Sequence, residues 1–305
     1  MTSLTNTQVE EEKQQKPVLS RLGLLWLALL MLSIGTIWRI VDIFVLNLGE
    51  TPMNILPSKL GPLLVILLVF WKFRPTEIKS ILGLSQEDYR VQITVGILMG
   101  FTVIFSMVFL APILYNIFVD PTYPLTINII HADLLWYMLF FFFVNAVFEE
   151  ILFRGLLQNA LNTKLDFKYA LFIQAAIFGI WHATWPLING PTSSTFIQEA
   201  ISVVVLSGIL GAFFGLYYEK FSHRRTLIGT ITAHTIFNFM NECFKVGPSP
   251  TVQGPDFSFT EPGLMVISLL LFAITFGSMI VLALKYQIED VSNLRRKVDS
   301  LLRRN

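Results

Sequence analysis

The chain has 305 residues, of which 54% are apolar and 14% are charged, whereas an average soluble protein has about 25% charged residues. With a mean hydropathy of +0.63, this composition excludes an ordinary soluble protein and indicates an integral membrane protein. The net charge of +1 gives no indication of nucleic-acid binding, and one cysteine, Cys243, excludes an internal disulfide.

Residues 1–20 are polar and lack the basic start and apolar core of a secretory leader. We expect them to form a disordered cytoplasmic tail. A membrane-spanning helix needs about 20 mostly apolar residues. Eight stretches have approximately this length and composition: 22–47, 58–72, 91–118, 132–162, 169–189, 198–219, 226–244 and 262–285. The second is short, with Pro57 just before it and Pro62 inside it, and the seventh is short and unusually polar.

The Lys and Arg residues predict the orientation, because cytoplasmic loops of membrane proteins carry most of them. Of 22 such residues, three lie in the N-terminal tail, four after span two, two after span four, three after span six and six after span eight. The opposite side has only Lys59 and Lys245, while Arg39 and Arg154 lie inside spans. One miscounted span would move every later loop to the other side, so both termini are predicted to be cytoplasmic.

The predicted fold is therefore all-α, a polytopic transmembrane bundle of about eight helices that forms a single domain over residues 21–285. Residues 286–305 form a basic, partly amphipathic cytoplasmic C-terminal tail. The loop over residues 245–262 is rich in proline, and we interpret it as a connector, with a lid as the alternative.

Span four contains the stretch AVFEEILFRG, residues 146–155, which places three charged residues in apolar surroundings. Each such residue costs about 2.5–3.5 kcal/mol to insert at mid-membrane, so it is expected to face a partner or a cavity. Glu150 and Arg154 are four residues apart and can pair on one helix face. Glu149 points about 100° away, and on its own helix it has no partner. We expect a raised pKa for this carboxyl, which suits a general base. The alternative is a structural salt bridge.

Two further spans carry isolated polar groups. His182 lies in span five among aromatic residues, namely Phe178, Trp181 and Trp185. In span seven, His234 and Asn238 are four residues apart and share a face. Packing of His182 and hydrogen bonding between helices by His234 and Asn238 are the plain alternatives. All lie within the hydrocarbon thickness, so together with Glu149 they could line one wet cavity that activates water and stabilises an oxyanion.

At these residues the sequence resembles a known family. EEILFR, FGIWH and HTIFN match the patterns EExxxR, FxxxH and HxxxN. Their order and separation, within a region of about 130–245, resemble the CAAX prenyl protease and bacteriocin-processing family of intramembrane glutamic endopeptidases. The resemblance implies that Glu149 and His182 activate the attacking water, and that His234 and Asn238 form the oxyanion hole. It also implies that Glu150 and Arg154 hold span four in register.

The resemblance thus implies an intramembrane endopeptidase that cleaves membrane-associated or lipidated peptides without a cofactor. Two alternatives stay open. Glu149, His182 and His234 could bind zinc, although HExxH is absent. The polar cluster could instead serve a transporter or a scaffold, although no internal repeat is visible. The expected partners are a membrane peptide or prenylated protein substrate and the lipid bilayer. The expected location is a bacterial plasma membrane.

Overall fold

The structure is a computed structural model that describes residues 19, 22–46, 52–86, 88–130, 132–184, 196–248 and 261–302. The predicted N-terminal tail lies almost entirely outside this part of the chain. Most of the 245–262 loop and Trp185 also lie outside it.

The described residues form a helical bundle. Its α-helices are α1 (Leu24–Ile40), α2 (Pro52–Phe73), α3 (Ile78–Ile81), α4 (Tyr89–Ile104), α5 (Ala111–Phe118), α6 (Leu135–Glu150), α7 (Asn159–Asn162), α8 (Phe167–His182), α9 (Phe196–Leu216), α10 (Ile228–Cys243), α11 (Pro262–Lys285) and α12 (Ile288–Leu302). Four of them run directly into π-helical turns, namely Val41–Val45 after α1, Phe105–Leu110 after α4, Ile151–Gln158 after α6 and Tyr217–Phe221 after α9. A short 3₁₀ turn, Ala132–Leu134, precedes α6.

Six helical segments of the described chain are long and apolar enough to cross a membrane: Leu24–Val45, Ile55–Phe73, Tyr89–Phe118, Ala132–Asn162, Ala200–Phe221 and Pro262–Lys285. They confirm the predicted polytopic helical bundle. Helices α8 and α10 occupy the positions of predicted spans five and seven, but each has 16 residues, which is short of the usual 20 or so. The count of eight spans therefore stays a prediction.

Helix α2 differs from its prediction. It begins at Pro52 and continues through both Pro57 and Pro62, whereas span two was predicted to begin after Pro57. Lys59, predicted at the very end of span two and counted on the extracytoplasmic side, is consequently well inside this helix and only 3% exposed.

The connections that are rich in Lys and Arg meet at one end of the bundle, which we call the basic end. Contacts between these segments join Arg74 to the carbonyl oxygen of Leu22, Leu84 to Thr226, Asn162 to Glu219 and Arg225 to Glu289. The helices between these connections therefore run out from the basic end and back to it. This common end agrees with the predicted grouping of the basic loops.

A small antiparallel sheet lies at the opposite end. Strand β1 (Ile127–Ile129) precedes α6 and pairs with β2 (Phe244–Val246), which directly follows α10. Isoleucine, valine and phenylalanine favour strands, but β1 was predicted as a connection between spans, and β2 was predicted as the last residue of span seven followed by a loop. We call this end the sheet end.

Small residues allow the helices around the site to approach closely. A Cβ added at Gly96 of α4 would meet the carbonyl oxygen of Gly229 in α10, and one added at Gly179 of α8 would meet that of Val204 in α9. Such contacts between small residues are the usual way in which membrane helices pack. They fix α8 and α10, which carry the two histidines, against longer neighbours.

Candidate active site

Helix α6 places two adjacent glutamates at the centre of the bundle. Glu149 is 1% exposed and Glu150 is fully buried. Because successive helical residues point about 100° apart, the two carboxylates meet different partners. A π-helical turn begins at the next residue, Ile151, and turns of this kind are frequent at functional sites.

Glu150 is the centre of a closed ionic cluster. Arg154 Nη1 donates to Glu150 Oε1 at 3.0 Å, which confirms the pairing predicted from the four-residue spacing. His234 Nδ1 lies 2.9 Å from the same oxygen. The Arg154 guanidinium also lies 4.2 Å from the ring centre of Phe178 and 5.4 Å from that of Phe214. The cluster thus links α6, α8, α9 and α10 around one carboxylate oxygen.

Glu149 points away from the Glu150 cluster and has a partner on another helix. Lys59 Nζ of α2 donates to Glu149 Oε1 at 2.8 Å, and both side chains are almost fully buried. The sequence considered only partners on the same helix, so its description of Glu149 as the unpaired carboxylate was wrong. The reason given for a raised pKa is removed with it.

The second carboxylate oxygen of Glu149 faces both histidines. His182 Nε2 lies 3.8 Å from Glu149 Oε2, and His234 Nε2 lies 3.7 Å from it. Among the described residues, this oxygen has no hydrogen-bond partner. Both distances exceed a direct hydrogen bond but can be bridged by one water. The structure therefore brings together the three groups that the sequence placed on separate spans.

Hydrogen bonds on the far side of each ring fix the histidines. His182 Nδ1 lies 2.8 Å from the carbonyl oxygen of Phe178. A carbonyl only accepts, so Nδ1 donates, and a neutral ring then presents a lone pair at Nε2. Phe178 also packs on the His182 ring, with the ring centres 4.6 Å apart.

A cavity of about 750 Å³, a volume that includes its open mouth, contains these groups. Glu149, His182, His234, Lys59 and Asn238 line it, together with aromatic and amide side chains: Phe141, Phe142, Phe178, Phe214, Phe237, Asn145 and Asn241. Asn238 thus shares the cavity with the three groups above, as its spacing from His234 predicted. Glu150 and Arg154 do not line the cavity and are buried in the packed bundle next to it.

Sequence reasoning missed Lys59. The signal was its position in PSKLGPLLV, an apolar stretch with no acidic residue nearby in sequence. A lysine in such surroundings needs a partner from another helix. Treating Pro57 as a helix boundary placed Lys59 at the extreme end of span two, where it was counted with the extracytoplasmic residues, and this concealed its need for a partner.

Metal binding stays an open alternative to a metal-free site. Within the described ranges, no group of three His, Cys, Asp or Glu side chains has the arrangement of a metal site. In these ranges, Glu149 is the only carboxylate that faces both histidines. One of its two oxygens already accepts a hydrogen bond from the Lys59 ammonium. The absence of a cofactor therefore stays a prediction.

Comparison with known proteins agrees with the motifs. A family model described as type II CAAX prenyl endopeptidase Rce1-like matches residues 131–240, which include α6, α8, α9 and most of α10. A search of curated proteins finds no match for the chain. The family match, with six helices able to span a membrane, indicates a multi-pass integral membrane protein. The three motifs all lie within the matched residues, so the family match agrees with the resemblance to CAAX prenyl proteases that the motifs show.

Proposed function

We propose that this protein is an intramembrane endopeptidase of the glutamic type, which hydrolyses peptide bonds in membrane-associated or lipidated polypeptides. The observation that carries the proposal is the position of Glu149 Oε2, which faces His182 Nε2 at 3.8 Å and His234 Nε2 at 3.7 Å within a cavity. The family match supports a protease of the CAAX type.

The first step is activation of water by Glu149 and His182. With Nδ1 of His182 donating to the Phe178 carbonyl, both His182 Nε2 and Glu149 Oε2 accept hydrogen bonds. A water between them donates one proton toward each, which leaves its oxygen lone pairs directed at the substrate carbonyl. General base catalysis of this kind contributes about 10²–10⁴-fold to a rate.

The second step is stabilisation of the oxyanion by His234 and Asn238. Glu150 Oε1 accepts from Arg154 and lies 2.9 Å from His234 Nδ1, so Nδ1 is the donor. A donor at Nε2 then requires a second proton on this ring, which lies between the carboxylates of Glu149 and Glu150. His234 Nε2–H and the Asn238 amide then donate to the tetrahedral oxyanion, a contribution of several kcal/mol when donors are preorganised.

The protons balance without a covalent intermediate. Water loses one proton to Glu149 as its oxygen bonds to the carbonyl carbon. The protonated Glu149 returns that proton to the leaving nitrogen as the C–N bond breaks. The products are a carboxylic acid and an amine, and Glu149 is again a carboxylate.

Two ion pairs position this machinery. Lys59 holds Oε1 of Glu149 at 2.8 Å, which directs Oε2 toward the histidines. Arg154 holds Glu150, and Glu150 fixes the ring of His234. Lys59, Glu150 and Arg154 are therefore positioning residues. We further infer that residues 21–285 form one catalytic domain, that both termini are cytoplasmic, and that the membrane is a bacterial plasma membrane.

The test is cleavage by the purified full chain in detergent micelles, where both sides of the membrane domain are accessible. The probes are two quenched fluorescent peptides, one with a single membrane-spanning anchor and one with a farnesylated cysteine near its C-terminus. Wild type should cleave at least one of them. Glu149→Gln keeps the side-chain shape but removes the base, so we expect a loss of about 1,000-fold or more.

Glu77→Gln is the matched control, because the Glu77 side chain is 43% exposed and pairs with Arg74 away from the cavity. It should cleave as wild type does, and both variants should melt as wild type does. Equal cleavage by wild type and Glu149→Gln, or cleavage of neither peptide by wild type, would contradict the proposal.

A further inference from the structure

The last described helix, α12, begins as a separate helix just after the membrane segment α11. Tyr286 has an extended backbone that ends α11, and the Asp290 carboxylate accepts from the backbone N–H of Gln287 at 2.9 Å. Such a contact from the third helical residue stabilises the start of a helix. Glu289 ties this start to the basic end, because its Oε1 accepts from Arg225 Nη1 at 3.2 Å.

The first turn of α12 packs on the ends of two membrane segments. Ile288 is 3% exposed and forms one cluster with Val91 of α4 and with Tyr217 and Phe221 of the π-helical turn after α9. Val291 packs against the same cluster. Both α4 and α9 belong to segments that are long and apolar enough to cross a membrane. The face of α12 that carries Ile288 and Val291 is therefore directed toward the membrane.

Beyond this turn α12 leaves the bundle while its apolar face continues. Every side chain from Asn293 to Leu302 is exposed. At 100° per residue, the large apolar ones fall within about 100° of one another around the helix axis, on the same face as Val291. These residues, which we call the apolar stripe, are Leu294, Val298, Leu301 and Leu302. An isolated helix shorter than about 12 residues is marginal in water, so the apolar stripe needs a surface that covers it.

Basic residues border the apolar stripe. Arg295 and Lys297 fall on its two sides, each within about 40° of the nearest apolar residue, and Arg296 falls on the opposite face. Residues 293–305 contain five basic side chains and one acidic side chain, namely Asp299, which lies 3.7 Å from Arg295. An apolar stripe edged by Lys and Arg is typical of helices that lie in the interface of a membrane with anionic lipids.

We propose that α12 binds the anionic phospholipid headgroups of the leaflet at the basic end. The apolar stripe enters the layer between headgroups and acyl chains, while Arg295 and Lys297 extend along their apolar stems to the lipid phosphates. This surface lies outside residues 131–240, which the family model matches, and it does not depend on the proposed function.

A second copy of the chain is the other occupant to consider. Val291, Leu294, Val298 and Leu301 have the spacing of coiled-coil positions. They cover only about two heptads, however, whereas a coiled coil is indicated by at least three or four. Pairing would also bring the basic side chains of two copies together, so the charge of α12 favours anionic lipid.

A fluorescent probe on each face of α12 tests the proposal without any cleavage assay. Cys243, the only cysteine of the chain, is replaced by serine, and an environment-sensitive dye is attached through Val298→Cys on the apolar stripe or Ser300→Cys on the opposite face. The full chain is placed in nanodiscs of phosphatidylcholine with or without phosphatidylglycerol, and nitroxide-labelled lipid serves as the quencher.

With phosphatidylglycerol, we expect the dye at Val298→Cys to shift to the blue and to be quenched, and the dye at Ser300→Cys to stay as in water. Quenching at Val298→Cys should be weaker in discs of phosphatidylcholine alone. Equal quenching at the two positions, or quenching at Val298→Cys that does not respond to phosphatidylglycerol, would overturn the inference.

Charge removal identifies the residues that bind the lipid. Arg295→Gln combined with Lys297→Gln should reduce the quenching at Val298→Cys to its value in neutral discs. Salt at about 1 M, where the screening length is about 3 Å, should act in the same direction. Lys164→Gln combined with Lys168→Gln is the matched control, because it removes the same charge from the basic end outside α12, and it should leave the quenching unchanged.

Both double variants should melt as wild type does in detergent, since all four side chains are exposed. Equal losses of quenching from the two double variants would refute a lipid site on α12. Rapid disulfide linking of two copies through Val298→Cys, without quenching by lipid, would show that a second copy covers the apolar stripe instead.

Discussion

The two halves of the membrane segment Ala132–Asn162, which contains α6 and the helical turns after it, differ in what surrounds them. From Phe141 to Glu149 it borders a cavity, whereas from Glu150 to Leu161 every side chain is buried in the packed bundle. The boundary falls between two adjacent glutamates. Glu149 shares its oxygens between Lys59 and the open space near two histidines, while Glu150 is enclosed by Arg154 and His234.

The two adjacent glutamates of one short motif can therefore have different roles, one in the reaction and one in stabilising the bundle. A rotation of about 100° between neighbouring residues directs one carboxylate to the substrate side and the other to the core. His234 joins the two halves, because its Nδ1 faces Glu150 and its Nε2 faces Glu149. Changes on the closed side should therefore affect stability first, and changes on the cavity side should affect turnover first.

The largest expected effect on stability is that of Arg154→Ala. This change leaves Glu150 as a fully buried carboxylate without its cation, and breaking a buried pair in this way costs about 3–5 kcal/mol. Thermal unfolding of the purified protein in detergent should show a clearly lower melting temperature than wild type.

Arg295→Ala is the control for this change, because the Arg295–Asp299 pair on α12 is about half exposed. Exposed pairs contribute at most about 1 kcal/mol, so its melting temperature should stay close to that of wild type. If Arg154→Ala and wild type have the same melting temperature, the closed ionic cluster does not stabilise the fold.

On the cavity side, Asn238→Ala should lower kcat by about 10²–10³-fold, the usual effect of removing one oxyanion donor. Melting and KM should change little. Asn241→Ala, one turn further along the cavity, should mainly raise KM. If the two variants change kcat equally, Asn238 has no special position in the oxyanion hole.

Lys59→Met tests the positioning of Glu149. A carboxylate that loses its anchor becomes misplaced, and a misplacement of about 1 Å can cost about 100-fold in rate. We expect kcat to fall by about 10–100-fold with KM nearly unchanged, and Lys59→Arg to recover much of the loss. Failure of Lys59→Arg to recover any activity at wild-type melting temperature would contradict this role.

Chelation should have the smallest effect. Because the proposed step uses only Glu149, His182 and water, treatment with a strong zinc chelator should change cleavage by less than about twofold, and elemental analysis should show no stoichiometric metal. Zinc at one equivalent together with loss of activity on chelation would establish the metalloprotease alternative, in which the same residues are ligands.

The sequence predicted much of the site because its polar residues are costly in a membrane. Glu149, His182, His234 and Asn238 were identified as isolated polar groups in apolar spans, and they line one cavity. The Glu150–Arg154 pair followed from helix geometry alone, since both partners are on one helix.

Specific pairings between distant segments were not predicted. The Lys59–Glu149 pair joins residues 90 positions apart, and no periodicity within one helix reveals such a partner. The β1–β2 pairing likewise joins two short segments that were not predicted as strands. The continuation of α2 through Pro57 and Pro62 shows that neighbouring helices can support a proline-containing span.

The central claim is that one water molecule is held between Glu149 Oε2 and His182 Nε2, beside His234. A crystal structure at a resolution that shows ordered solvent, with anomalous data collected at the zinc edge, tests it most directly. The account predicts a solvent peak within about 3.2 Å of Glu149 Oε2 and of His182 Nε2, with no anomalous signal. A zinc peak at this point, or the three side chains directed to separate places, would contradict it.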